Sequence, residues 1–333
     1  MKSRPLALTL GDPAGVGPEI IVKAWRALRA EPLSFFAVGD FATLAAASDG
    51  GPVHRIAAPQ EAKRVFADAL PVLDLPLPAP ATPGRPDPAA APLVIRWIET
   101  AVDLALRGEI GAVVTAPIAK APLYAAGFKF PGHTEFLGEL TAAAPHVGAR
   151  GPIMMLTAQD LRVTLVTVHE PIAKVASLIS VEKIVNAGLV TAQSLRRDFG
   201  LLAPRVAVAG LNPHAGESGG IGREEIEIVE PAVRALRNLG VDATGPYPAD
   251  TLFPEAMRAR YDAVVCLYHD QALIPVKMLD FWGGVNVTLG LPIVRTSPDH
   301  GTAFDIAGRG LARPDSLVQA LRLADQIARR RAA

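Results

Sequence analysis

The chain has 333 residues, half of them hydrophobic, which is enough to bury the cores of about two domains. Its 33 Lys and Arg residues balance 33 Asp and Glu residues, and no basic block occurs that would hold a nucleic-acid backbone, so nucleic acid is excluded as a partner. Because no 18 apolar residues run together and the N-terminus has no long apolar stretch, we expect a soluble, cytoplasmic protein that does not enter a membrane.

Eight segments have the alternating or continuous apolar pattern of buried strands: residues 5–10, 35–39, 112–116, 153–157, 162–168, 205–210, 263–268 and 285–290. Helical periodicity marks 92–108, 182–200, 223–240 and a last helix from Asp315 to about Arg330. Strands that alternate with helices predict an α/β fold with a mostly parallel sheet covered by helices. Residues 71–92 contain eight prolines and are predicted to form an extended, exposed loop without a catalytic role.

Three predicted strands are each followed by a histidine: His169 after TLVTV, His214 after VAVAGLNP and His269 after AVVCLY. Open α/β sheets bind ligands at the carboxyl ends of their strands, so we expect these imidazoles to lie near a ligand. A single histidine in such a place is usually an ordinary loop residue, but three in the same context favour one shared metal ion. Three imidazole ligands suit zinc and its neighbours and leave a coordination position open, as catalytic sites do.

Two Gly-containing segments border predicted helices. GDPAGVGPEI at 11–20 follows the first strand, but neither G-x-G-x-x-G nor a P-loop occurs, so the sequence does not support a Rossmann domain or a nucleotide-hydrolysing loop. In GHTEF, His133 and Thr134 precede an apolar-periodic stretch, and Thr134 is the predicted helix cap. The free amides at the start of such a helix suit a phosphate.

Charged and polar residues also interrupt the apolar C-terminal third. Lys277, Asn286 and Arg295 are predicted on successive elements of one βαβ-like unit, and their flanks are almost wholly apolar. Lys and Arg are normally solvated, so charges in such runs indicate contact with an anion, for which the planar guanidinium of Arg is well suited. These residues predict a small anionic substrate. The segment 297–310 is predicted to be a Gly-rich loop that opens into a short helix.

Taken together, the motifs resemble the 4-hydroxythreonine-4-phosphate dehydrogenase family of pyridoxal phosphate biosynthesis. The matching segments are GDPAGVGPEI, GHTEF, the histidine of TLVTVH, GLNPHAGESGGIG, PADTLF, YHDQALIPVK and GVNVTLGLPIVRTSPDHGTAFDIAGRG, in family order and over nearly the whole chain. The resemblance implies two α/β/α domains with a cleft between them, similar to isocitrate and isopropylmalate dehydrogenases rather than a Rossmann fold. We expect a cofactor-side domain from residues 1–127 and 281–333 and a metal-binding and dimerisation domain from 128–280. The implied working unit is a homodimer with its active site at the subunit interface.

The resemblance also implies residue roles. It implies that a divalent metal, zinc, magnesium or cobalt, is bound by His169, His214 and His269. It implies that the phosphorylated substrate is bound by His133, Thr134, Lys277, Asn286 and Arg295. A weaker similarity to the cofactor loop of isocitrate and isopropylmalate dehydrogenases implies that NAD or NADP contacts His300, Gly301, Thr302, Ala303 and Asp305. The catalytic candidates, as acceptors of the hydroxyl proton, are Lys277, Asp250 and His133.

The implied reaction is the metal-dependent, NAD(P)-linked oxidation of 4-phosphohydroxy-L-threonine to 2-amino-3-oxo-4-(phosphooxy)butanoate, which decarboxylates to 3-amino-2-oxopropyl phosphate. A related dehydrogenase of phosphorylated threonate or erythronate would share every residue named above, and other relatives oxidise a cyclic diol. A metal-dependent aldolase would use the same metal and phosphate anchors but no dinucleotide. A non-catalytic phosphate-binding protein is the least favoured alternative, because a ligand sensor has no need of an open metal site.

Overall fold

A computed structural model describes residues 4–333, which divide into two compact units. One unit consists of the residues up to Ala144 together with Pro292–Ala333, and the other is Pro145–Leu291. Both junctions lie later in the chain than the boundaries expected from the sequence, 127 and 280. His133 and Thr134 therefore belong to the same unit as Arg295.

The first unit is built on six parallel strands in the order β3-β4-β2-β1-β5-β12. Its strands are β1 (Leu6–Thr9), β2 (Phe35–Gly39), β3 (Val53–Ile56), β4 (Leu70–Asp74), β5 (Val113–Thr115) and β12 (Arg295–Pro298). Its helices are α1 (Gly17–Leu28), α2 (Phe41–Ala47), α3 (Ala62–Val65), α4 (Ala91–Leu106), α5 (Lys120–Ala125), α6 (His133–Leu140) and α13 (Asp315–Ala332). Every residue of β1, β2, β5 and β12 is buried, as expected when helices cover both faces of a parallel sheet.

The second unit has the strand order β11-β6-β7-β10-β8-β9. Its strands are β6 (Ile153–Ala158), β7 (Leu161–Leu165), β8 (Arg205–Ala209), β9 (Asp242–Tyr247), β10 (Ala263–Cys266) and β11 (Val285–Leu289). Its helices are α7 (Ile172–Leu178), α8 (Val181–Arg197), α9 (Glu230–Asn238), α10 (Ala249–Leu252), α11 (Glu255–Arg258) and α12 (His269–Leu279). β6 is antiparallel to both β11 and β7, whereas β7, β10, β8 and β9 pair in parallel.

The mostly parallel sheet and the α/β class are confirmed, and all eight predicted strands are present within a few residues of their expected bounds. β3, β4, β9 and β12 were not predicted. β3 reads VHRI and β9 reads DATGPY, so neither has the apolar run of a buried strand. β12 reads RTSP and is polar, yet it is fully buried because it lies beside β5 inside the sheet.

The sequence predicted a continuous loop over the Pro-rich segment 71–92, but the structure has regular elements at both of its ends. Its first residues belong to β4, and its last two begin α4. β4 tolerates Pro71 because its register with β2 begins at Val72, so the missing proline amide falls outside that ladder.

The helix predicted over 223–240 is present, but it is not a uniform α-helix. Over Glu225–Val229 the backbone forms a π-helix, in which the Glu230 amide donates to the carbonyl of Glu225, five residues back. Pro231 accounts for the change, because it has no amide proton for the carbonyl four residues earlier and its ring would collide with that carbonyl. α9 starts where the proline fits, in a first helical turn.

The prediction of a short helix within 297–310 is wrong, since residues 304–310 form turns. Gly308 and Gly310 have φ of 71° and 72°, and Ala303 has φ of 43°, all incompatible with a right-handed helix. Within residues 4–333 no single helix is both long and apolar enough to cross a bilayer, although α7 and α8, bent by 91°, reach that length and composition as a pair.

Candidate active site

His169 and His269 lie side by side at the carboxyl ends of β7 and β10. Their ring centroids are 5.6 Å apart, with the ring planes inclined by 42°. The pairing of the two strands continues beyond their ends, because the amide and hydroxyl of Thr167 both donate to the carbonyl of Leu267, at 3.2 and 2.7 Å. Each of these residues lies two positions before its histidine, so the ladder brings the two imidazoles together.

The arrangement of these two rings is compatible with one shared metal ion. Two imidazoles bound tetrahedrally to one zinc ion at 2.0–2.1 Å have centroids roughly 5 Å apart, close to the observed separation. Nδ1 of His269 donates to Oδ1 of Asp270 at 2.7 Å, which places the ring proton on Nδ1 and the lone pair on Nε2. A carboxylate that fixes the tautomer in this way is a common partner of metal-binding histidines.

His214 lies in an exposed turn of unusual conformation after β8. Residues 214–218 all have left-handed backbone angles, with φ between 44° and 80°. Only Gly216 among them is a glycine, and each of the others costs roughly 1–2 kcal/mol in this conformation. Such strain persists only where the surroundings enforce it, and it is concentrated at functional sites.

The three predicted metal ligands do not all meet within one chain. Among residues 4–333 no group of three or more His, Cys, Asp or Glu side chains is arranged to hold a metal ion. The segments that carry His214 and His269 are nevertheless linked through buried Gln271. Its amide donates to the Gly210 carbonyl at 2.7 Å, and its carbonyl accepts from the Leu267 amide at 2.7 Å.

Arg295 and Thr115 form a buried polar pair at the start of β12 and the end of β5. Arg295 is 2% exposed, and its Nη2 donates to Oγ1 of fully buried Thr115 at 2.7 Å. Burial lowers the pKa of Arg295 to about 9, and the nearby Glu135 carboxylate opposes that shift. A buried guanidinium that keeps its charge at neutral pH is a ready anion-binding group.

His133 faces this guanidinium from the first turn of α6. Its Nε2 atom is buried and has no hydrogen-bond partner. Burial, and then the positive charge of Arg295, hold the pKa of His133 well below its ordinary value of 6.5. A neutral imidazole with an unsatisfied nitrogen beside a buried cation, at a helix start, is an arrangement that a phosphate would complete.

Two predictions about these residues need correction. Thr134 is not the cap of α6, because Gly132 occupies that position and no side chain caps the helix. Lys277, Asn286 and Arg295 do not share one βαβ-like unit. They lie on α12, β11 and β12, and the first two belong to the second compact unit while Arg295 belongs to the first.

The remaining substrate and catalytic candidates occupy distinct positions in the second unit. Lys277 lies in the last turn of α12, with Nζ 5.3 Å from the Phe281 ring centre, and is about 12 Å further along the helix than His269. The Oδ1 atom of Asn286 is buried without a hydrogen-bond partner. Asp250 is exposed in α10.

The segment after β12 lies against the start of α1 in the first unit. The amide of Val16 donates to the Thr302 carbonyl at 2.9 Å. The Glu19 carboxylate accepts from the amides of Gly310 and Ala312, at 3.3 and 2.9 Å. These bonds hold the 302–312 backbone against the helix.

The predicted cofactor residues lie at the beginning of this segment. His300 is exposed and its Nδ1 donates to the Gly301 carbonyl at 3.0 Å, while Asp305 is also exposed. A β-carbon on Gly15 would be 2.9 Å from the Thr302 carbonyl oxygen, so only glycine permits the observed approach. A cavity of about 470 Å³ is lined by α1, α2 and the glycines that end the segment.

Sequence reasoning did not single out Thr115, Asp270, Glu225 or Gln271 as site residues. Thr115 ends a strand whose surrounding motif is a loose match to the family. The signal that would have found Glu225 is its place in the apolar-periodic stretch REEIEIVE, where a carboxylate is buried only when it has hydrogen-bond donors around it.

Comparison with known proteins finds relatives along nearly the whole chain. The family model described as pyridoxal phosphate biosynthetic protein PdxA matches residues 32–324. The 4-hydroxythreonine-4-phosphate dehydrogenase of Caulobacter vibrioides is 68% identical over 331 residues, which cover 99% of each chain. Among solved structures, the same-named enzyme of Klebsiella pneumoniae is similar with a TM-score of 0.87 and 42% identity, over 98% of this chain and 100% of that one. A terephthalate 1,2-cis-dihydrodiol dehydrogenase from Burkholderia xenovorans LB400 gives a TM-score of 0.65 and 29% identity, over 97% and 98%.

Proposed function

Because the chain belongs to the PdxA family of pyridoxal phosphate biosynthetic proteins, we propose that it oxidises 4-phosphohydroxy-L-threonine in a metal- and NAD(P)-dependent reaction. The product, 2-amino-3-oxo-4-(phosphooxy)butanoate, is a β-keto acid and loses CO₂ to give 3-amino-2-oxopropyl phosphate. The observation that carries the proposal is the pair of imidazoles at the ends of β7 and β10, whose spacing suits one divalent ion. The cytoplasmic location predicted from the sequence is part of the same proposal.

We assign the divalent ion to His169, His269 and His214. Imidazole ligands favour zinc or cobalt over magnesium, which prefers oxygen. A bound divalent ion would act as a Lewis acid, making the substrate alcohol more acidic and polarising the ketone formed from it. Asp270 holds the ring proton of His269 on Nδ1, which would leave Nε2 free to bind the ion.

A second copy of the chain is the source we propose for the third histidine. His169 and His269 are adjacent within one chain, and among the described residues no third ligand joins them. α12, which begins at His269, also presents apolar side chains to solvent, with Ile274 62% and Met278 81% exposed one turn apart. Exposed apolar surface of this kind marks an interface. A symmetric homodimer would cover this surface and bring the partner's His214 to the pair.

The phosphate end of the substrate is assigned to Arg295, His133 and Thr134 in the first unit. Lys277 and Asn286 stay substrate-binding residues on the family resemblance alone. Arg295 donates two hydrogen bonds of its fork to phosphate oxygens, and the buried Nε2 of His133 supplies or accepts another. Fixing the phosphate in this way positions C3 for hydride transfer and contributes to the rate by orientation. The hydroxyl proton is accepted by Lys277, Asp250 or His133, and pH-rate profiles of the three single variants would decide among them.

The dinucleotide is assigned to the backbone of His300, Gly301, Thr302, Ala303 and Asp305. Their segment is held against α1 by Glu19, beside the cavity of about 470 Å³ described above. Nicotinamide, when bound, supplies the hydride acceptor. The protein's part is to hold that ring beside C3 of the substrate and to exclude water.

A dehydrogenase of phosphorylated threonate or erythronate is the second candidate, because these acids present the same phosphate and the same oxidisable alcohol. The similarity to a dihydrodiol dehydrogenase indicates that this fold accepts other diols. The buried Arg295 and His133 favour a phosphorylated substrate over an uncharged cyclic diol.

A substrate panel tests the proposal. Purified protein is stripped with a chelator, restored with one divalent metal at a time, and supplied with NAD or NADP and each phosphorylated acid, while reduced nicotinamide is followed. We expect 4-phosphohydroxy-L-threonine to give the highest kcat/KM, with no turnover before metal is restored. Carbon–carbon cleavage without a dinucleotide would instead indicate an aldolase.

The depressed pKa of His133 predicts a pH dependence of stability. Below pH 6.5 the imidazole of His133 binds a proton in the unfolded chain but not in the folded one. The contribution of His133 to the free energy of unfolding is therefore complete above about pH 6.5 and is lost as the pH falls. We expect the free energy of unfolding of His133→Gln, measured with urea without phosphate, to fall less between pH 7.5 and 5.5 than that of the wild type. Equal slopes for the two proteins would contradict the assignment.

A further inference from the structure

Glu225 is a buried carboxylate at the base of the turn that carries His214. It is 1% exposed, although it begins the π-helix that precedes α9. Its Oε1 atom accepts from the amides of Leu211 and Asn212, both at 2.7 Å, and its Oε2 atom accepts from the side-chain amide of Asn212 at 2.9 Å. All of these donors lie where β8 ends and the turn begins.

The carboxylate also fills the inside of the left-handed turn. A β-carbon on Gly216 would be 2.6 Å from Oε2 of Glu225, and one on Gly210 would be 3.3 Å from Oε1. The carboxylate thus fits between the strand end and the turn, and Gly216, with φ of 80°, leaves the space that it needs. The Asn212 side chain donates a second bond, to Oε2 of Glu224 at 2.7 Å, which ties the turn to the residue just before the π-helix.

These contacts explain what holds the strained backbone in place. The backbone of the four non-glycine residues in 214–218 would relax toward ordinary angles if the turn were free. The bonds to Glu225 fix its entrance, and the widened π turn sets the carboxylate at the depth where it reaches both amides. π turns are frequent at functional sites for this kind of reason.

We propose that Glu225 is a positioning residue that holds the 211–219 turn in the strained form required for His214 to bind metal. The inference rests on the proposed function, in which His214 is a metal ligand. Glu225 acts through the backbone of the turn and does not touch the metal or the substrate. Partners that orient a metal ligand commonly change metal affinity ten- to a hundredfold.

The test combines zinc affinity with hydrogen exchange on the full-length protein at pH 7.5. Zinc is titrated against a chromophoric chelator, and exchange is followed in the peptide that covers 210–224. We expect Glu225→Gln to weaken zinc binding ten- to a hundredfold. We also expect it to speed exchange of that peptide at least tenfold, because the NH2 group of glutamine would face the side-chain NH2 group of Asn212, which now donates to the carboxylate. Exchange in the segment around His269 should be unchanged. Glu227→Gln is the matched control, since Glu227 lies on the same π-helix but is exposed and pairs with Arg223.

His214→Ala separates this inference from the proposed function. If His214→Ala leaves zinc affinity unchanged, His214 is not a ligand and both proposals are wrong. If His214→Ala weakens zinc binding while Glu225→Gln loosens the turn without any effect on zinc, only the role of Glu225 is overturned. Unchanged exchange in Glu225→Gln overturns it as well. Should Glu225→Gln fail to fold, Asn212→Ala removes the two side-chain bonds to Glu224 and Glu225 and is expected to weaken zinc binding three- to tenfold. An unchanged affinity would count against the proposal.

Discussion

His269→Ala is expected to lower kcat/KM for 4-phosphohydroxy-L-threonine roughly a thousandfold, because a Lewis acid contributes several kcal/mol to stabilising charge in the transition state. His269 is the better-defined ligand of the pair, since Asp270 fixes its tautomer. The same variant should lose tight zinc binding in a titration of the chelated protein. Both measurements are needed, because loss of activity alone does not identify a metal ligand.

His54→Ala is the control for this variant. His54 is an exposed histidine on β3 in the other unit, so its removal changes the imidazole count without touching the candidate site. We expect wild-type zinc affinity and activity from it. Zinc bound by His269→Ala as tightly as by the wild type would remove His269 from the metal site.

Arg295→Met is the second replacement with a large expected effect. Removal of one member of a buried, charge-assisted pair costs 2–5 kcal/mol, so we expect KM for the phosphorylated substrate to rise a hundredfold or more at pH 7.5. Stability of the unliganded protein should change little, because the desolvation cost of the buried guanidinium disappears together with its hydrogen bonds. Steady-state kinetics with both substrates varied would show the change in KM.

Two substitutions at Thr115 serve as matched variants. Thr115→Val keeps the shape but removes the oxygen that accepts from Arg295, and a hydrogen bond to a charged group is worth 1.5–3 kcal/mol, so we expect KM to rise about tenfold or more. Thr115→Ser keeps the hydroxyl and should have wild-type kinetics.

A KM for Arg295→Met within twofold of wild type would show that the guanidinium does not bind the phosphate.

Much of the fold was predictable because the central strands are apolar on both faces. FFAVG and AVVC have no other stable place than the interior of a covered sheet. β12 and β3 escaped because their residues are polar or exposed, and only tertiary context makes them strands. The π-helix before α9 was missed for a different reason, since Pro231 is allowed near a helix start and its position alone does not show where that start lies.

The candidate site was predictable to a similar degree. Histidines after strands were found because the carboxyl ends of parallel strands share one edge of a sheet, and the structure brings His169 and His269 together there. The groups that support them were not found. Gln271 donates to the distant carbonyl of Gly210, and Glu225 accepts from the amide of Leu211, at positions that no local pattern marks.

Sharing of one metal site between two subunits is the central claim, and mixed dimers test it most directly. Purified His214→Ala and His269→Ala proteins are each inactive by this account. When they are unfolded together and refolded, or co-expressed and isolated as mixed dimers, half of the sites in each mixed dimer combine an intact His169–His269 pair with an intact His214 from the partner. Random assortment on refolding then restores about one quarter of wild-type activity and of tight zinc sites, and isolated mixed dimers have about one half. No activity above that of the separate variants, with mixed dimers demonstrated in the sample, would show that the three histidines do not meet across a subunit interface.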